Sequence, residues 1–121
     1  MAIDPDTFKP TTTNELLSAV TEVATAAAGG AWKNMENEVK NHLTFISSTT
    51  LETAKKLAAQ EITQSQADHT LHLLEYNFNA TLLLIQLIPY VVAQAVLNAV
   101  FGLVNSVVKN YAGVDLGFGG K

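Results

Sequence analysis

The stretch YNFNATLLLIQLIPYVVAQAVLNAVFGLVNSVV, residues 76–108, decides the fold, because it carries no charged side chain between Glu75 and Lys109. A run of this kind has three physical homes: a membrane, the core of a helical bundle, or a surface buried between copies of the chain. Pro89 falls inside it, and proline both removes a helical hydrogen bond and clashes with the preceding turn. The spacing therefore predicts that one helix kinks or ends near Ile88 and that a last helix runs from Pro89 to about Tyr111. Proline suits a first turn. Lys109 complements the dipole at the far end, and Gly113 suits the residue just past it.

Polar residues punctuate the run at Asn77, Asn79, Gln86, Gln94, Asn98 and Asn105. Positions 86, 90, 94, 98 and 105 fall near one helix face, giving a seam of Gln, Tyr, Gln, Asn and Asn. Such a seam suits packing inside a bundle or the lining of a channel.

Working outward, TTTNELL places Thr12 three residues before Glu15, the spacing of a capping box, and predicts a first helix over Thr13–Ala28. Gly29-Gly30 breaks or kinks it, leaving a hairpin or one bent rod, since each glycine costs about 1 kcal/mol relative to alanine in a helix. A second helix is expected over Ala31–Ile46, with Trp32, Met35, Val39, His42 or Leu43, and Ile46 as its apolar stripe. SSTTLE, residues 47–52, reads as the next break, with Thr49 and Glu52 again at capping-box spacing. A long third helix is then expected from Leu51 to about Ile88, weakest at TQSQ, residues 63–66.

Asp4-Pro5 and Lys9-Pro10 disfavour helix, so residues 1–11 are expected to form an extended arm. Residues 12–112 form a single helical domain and 113–121 a glycine-rich tail. The expected class is all-α: four to five helices forming a bundle or hairpins, completed by self-association.

At 121 residues the chain is the size of one domain. Only 15% of its residues are charged, well below the usual quarter, and the net charge is −4. All its basic residues are lysines. Nucleic acid is excluded as a partner, because phosphate neutralisation needs a basic face and base reading favours arginine. Attraction to anionic lipid headgroups is equally unsupported. With no cysteine, disulfides and thiolate chemistry are ruled out. That absence, with no basic-then-apolar leader in MAIDPDTFKP, favours a cytoplasmic compartment. AAAGGAW follows no strand and is not a phosphate loop, so no cofactor is expected and no enzyme is predicted.

Candidate ligand chemistry is confined to histidines. Asp68, His72 and Glu75 follow spacings of four and three and share one helix face, as do Glu38 and His42. Bundle metal sites draw Glu and His from facing helices, so Asp68, His72 and Glu75 form the candidate metal site. The Glu-x-x-His pair of di-iron bundles is absent, and a solvated face with His72 among carboxylates is the simpler reading.

The function expected is therefore a small non-enzymatic structural or interaction protein that self-assembles through residues 76–108. Leu84, Ile88, Val92, Val96 and Phe101 are its expected interface. The alternatives are a membrane-active helical protein inserting residues 80–104, and a metal-binding bundle.

Overall fold

The computed structural model describes residues 4, 6–85 and 88–114, and every regular element among them is helical. Helix α1 spans Thr13–Ala28, α2 Trp32–Ala58, α3 Gln64–Leu83 and α4 Tyr90–Ala112, with a 3-10 turn over Gly29–Ala31 joining α1 to α2. Taken with the 3-10 turn, the helical residues thus fall into three stretches along the chain, 13–58, 64–83 and 90–112, the first folded back on itself at Gly29, rather than the four to five separate helices expected.

Helix α1 starts as its sequence dictates. The Thr12 hydroxyl accepts from the Glu15 amide at 3.2 Å, and the Glu15 carboxylate accepts from the Thr12 amide at 3.3 Å. It ends at Gly29, whose φ of 57° and ψ of −132° lie outside the helical region and turn the chain back.

The break expected at Ser47–Glu52 does not exist. Helix α2 runs straight through it, because the buried stripe of Leu43, Ile46, Thr50 and Ala54 keeps helical spacing. Ser47 donates its hydroxyl to the Leu43 carbonyl at 2.7 Å, so the first hydroxyl of the expected break is satisfied inside the helix.

The actual break lies at Ala59–Thr63. The Glu61 amide bonds the Lys56 carbonyl at 2.8 Å and the Gln60 amide the Leu57 carbonyl at 3.1 Å, the paired bonds of a Schellman ending. Gln60 occupies the left-handed position, with φ at 62°. Helix α3 then opens on a second capping box, in which Thr63 and Gln66 exchange bonds of 2.8 and 3.1 Å. Half-buried Ile62 packs beside this start.

Pro89 stands just outside α4 rather than in its first turn, with ψ at 153°. Gly113 closes α4 in the left-handed conformation at φ 73°.

Successive helices form antiparallel hairpins, and α2 and α4 each touch all the others, while α1 and α3 pack on opposite sides of that central pair. Helix α4 supplies Ala93, Val96, Leu97, Val100, Phe101, Leu103, Val104, Val107 and Val108 to the core. The uncharged stretch therefore has two fates. Its second half is enclosed by this chain's own helices, and its first half, in α3, buries a single stripe that includes Phe78 and Leu82. Phe78 ties the layers together, with its ring centroid 6.2 Å from Phe101 and 6.4 Å from His42.

The described part of the N-terminal arm is not simply extended. The Thr7 and Phe8 amides both bond the Asp4 carbonyl, making a turn. Residues 8–11 then cross the end of the bundle: Phe8 is half-buried and Pro10 buried. Asn110 donates to the Phe8 carbonyl at 2.7 Å, Tyr111 to the Pro10 carbonyl, and Lys55 to the Thr11 carbonyl at 2.9 Å. The tail from residue 115 lies outside the described residues.

Candidate functional site

Asp68, His72 and Glu75 come together as their spacing requires. His72 Nε2 lies 3.0 Å from Asp68 Oδ1, and its Nδ1 lies 3.3 Å from Glu75 Oε1. The Asp68 and His72 side chains are exposed, and that of Glu75 is part-buried. A carboxylate stands at each ring nitrogen of His72. Among the described residues no group of three or more histidines and carboxylates is arranged to hold a metal ion. The trio is a cluster of hydrogen-bonding groups along one helix face, and such exposed polar contacts are worth little individually in water.

The second pair does not join it. With the α2–α3 turn at residues 59–63, His42 stands about 25 Å from the turn and His72 about 14 Å, at 1.5 Å per residue. His42 instead sets its ring against Phe78. It borders a groove of about 280 Å³ between α2 and α3, lined by Phe45, Ile46, Leu74, Asn77 and Phe78. His69 lines a separate, shallower depression with Ile62, Ser65, Gln66 and Thr70.

The expected interface residues separate sharply. Val96 and Phe101 are fully buried inside the chain's own core, so they have no surface to offer a second copy. Ile88 and Val92 are half-buried and packed against that core. Leu84 is 80% exposed. It has company that the spacing of the sequence did not single out: Leu83 is 51% exposed, Tyr90 68% and Val91 71%. These four residues end α3 and begin α4, so they flank one loop at one end of the bundle. Scattered apolar residues are normal on a surface, whereas a cluster without charge is not.

The polar seam is partly consumed by the fold. Gln94 donates to Asn79 Oδ1 at 3.0 Å, joining α4 to α3. Gln86 lies outside the described residues, and Asn98 is exposed. Helix α4 is long and apolar enough to cross a membrane, yet 50% of its most apolar window is buried in the bundle.

Among the described residues, electrostatics add one perturbed group. The Thr11 hydroxyl, donating at 2.7 Å, holds the Glu15 carboxyl below the usual carboxylate range, and the Thr11 amide at 3.0 Å adds to it. This belongs to the start of α1, not to a reactive site.

No family model, curated protein or solved structure matches this chain.

Proposed function

We propose that this protein works by association rather than by chemistry, joining copies of itself through the loop-flanking patch of Leu83, Leu84, Tyr90 and Val91. The observation that carries this reading is their exposure, 51–80%, within a stretch that holds no charge from residue 76 to 108. Burying such side chains between copies returns roughly 25 cal/mol for each Å² of apolar area removed from water. Tyrosine is enriched at interfaces because it adds a hydrogen-bonding hydroxyl to a large apolar ring.

This places the contact at one end of the bundle instead of along the whole uncharged stretch. The distinction has a direct test. Light-scattering mass after size exclusion should give a discrete multimer for the wild type. Leu84→Asp and Val91→Asp should each give a folded monomer with unchanged helical circular dichroism. Val96→Asp should unfold the chain, because Val96 is fully buried. A wild type that is monomeric at every concentration in plain buffer overturns the proposal. Protein that is monodisperse only with detergent transfers the patch to a lipid surface.

A further inference from the structure

Helix α3 is apolar on two faces. One is the buried stripe. On the opposite side Leu73, Tyr76, Ala80 and Leu83 are all exposed, Leu73 by 51% and Tyr76 by 71%. Their spacings of three, four and three draw a single line along the helix. Asp68 and Glu75 lie about 100–120° round the helix from it, at 3.6 residues per turn, so the line itself carries no charge. A helix apolar on two faces is normally covered on both. Leu83 belongs both to this line and to the loop-flanking patch, which makes the two one continuous surface.

The extent of that surface decides what can cover it. At about 200 Å² for a fully exposed large residue, the patch residues Leu83, Leu84, Tyr90 and Val91 offer on the order of 500 Å². A stable interface takes about 800 Å² from each partner. On the same basis Leu73 and Tyr76 raise the total to roughly 800 Å².

The line also has the symmetry of a self-complementary surface. Leu73 and Leu83 stand five residues either side of position 78, and Tyr76 and Ala80 two residues either side. Two copies laid antiparallel about that position set Leu73 against Leu83 and bulky Tyr76 against small Ala80, so the facing side chains interdigitate. A parallel pair would set Tyr76 on Tyr76 and leave a gap between the two Ala80 side chains. In the antiparallel register, the α3–α4 loop of one copy runs past Leu73 of the other toward His69. There it meets the depression lined by Ile62, Ser65, Gln66, His69 and Thr70.

We propose that the outer face of α3 is an antiparallel homodimer seam, in which Leu73, Tyr76, Ala80 and Leu83 pack on the same residues of a second copy. The seam rests on the reading of the patch as a self-association site and gives that association a two-fold geometry.

Because the chain has no cysteine, introduced thiols report the geometry directly. Leu73→Cys chains and ¹⁵N-labelled Leu83→Cys chains are mixed in equal amounts, oxidised and weighed by mass spectrometry. The mixed disulfide should far exceed the half share that random pairing gives. A mixed share at or below half overturns the antiparallel seam. In a second measurement, Tyr76→Asp should reduce the light-scattering mass to that of a monomer, with unchanged helical circular dichroism. A wild-type multimer that survives Tyr76→Asp overturns the seam, and its loss in Leu84→Asp alone leaves the patch reading standing. A wild type that is monomeric at every concentration overturns both.

Discussion

At the scale of single residues, three side chains make separable predictions. Thr50 is fully buried in α2, and its hydroxyl has no hydrogen-bond partner among the described residues. Burying an unsatisfied hydroxyl costs about 1–3 kcal/mol, and valine has the same shape without that group. Thr50→Val should therefore raise stability by about 1 kcal/mol, read as a higher urea midpoint with an unchanged slope. Gln60 holds the left-handed position that glycine normally takes. That conformation costs a side-chain-bearing residue about 1–2 kcal/mol, partly offset by the extra freedom glycine has when unfolded, about 0.5–1 kcal/mol. Gln60→Gly should give a net gain of up to about 1 kcal/mol in the same titration.

Glu15 is a pH element. Its carboxyl is held low in the folded chain, chiefly by the Thr11 hydroxyl. A depressed folded value means that its stabilising contribution is complete above the unfolded value and is lost as pH falls through the folded one. Glutamine can keep the capping-box bond but cannot titrate. Between about pH 5 and 3, the melting temperature of Glu15→Gln should fall less steeply than that of the wild type.

At the scale of elements, α1 was legible from end to end, because a capping box and a glycine break mark its limits. Helix α4 was legible to within a residue or so through Pro89 and Gly113. The middle of the chain was not, and the reason is instructive. Thr49–Glu52 and Thr63–Gln66 both have capping-box spacing, but only the second is a cap. What separates them is the stripe behind each. Ile46, Thr50 and Ala54 continue one buried line across the first, whereas Gln60–Glu61 interrupts it before the second. Hydroxyls at buried positions read as polar punctuation although they pack as small residues. The Asp68–His72–Glu75 cluster was legible because it is a property of one helix. The Leu83–Val91 patch was not, since its exposure depends on where α1 and α2 fail to cover α3 and α4.

Among the described residues, nothing packs where a side chain at Gly102 in α4 would stand. A Cβ built on Gly102 meets nothing within 4 Å. Gly102→Ala should therefore stabilise the isolated chain by about 1 kcal/mol through helix propensity alone. Thermal unfolding followed by circular dichroism checks this, and a loss of stability would mean that another copy approaches closely there.

At the scale of the whole molecule, α3 is the least embedded helix. It buries one stripe, Ala67, Leu71, Leu74, Phe78 and Leu82, whereas α4 is enclosed on three sides. Native-state hydrogen exchange should show α3 opening as a unit at lower free energy than α2 or α4. Phe78→Ala should remove the link among three helices and cost about 3–5 kcal/mol, measured by denaturation. Equal protection in α3 and α4 would mean that the single stripe holds as firmly as the enclosed core.

The central place of α4 also bears on how the chain reaches this state. Helices α1 and α2 can meet through a short turn, and such local closure is fast. The α1–α4 contact joins helices 62 to 99 positions apart, and the carbonyl bonds from Asn110 and Tyr111 span 102 and 101, so they close the largest loops among the described residues. During synthesis, the apolar faces of α1, α2 and α3 have no shared partner until residues 90–112 have been made. Folding of this small bundle is thus deferred to its last helix, and a nascent chain halted at Pro89 presents an uncovered core to everything around it.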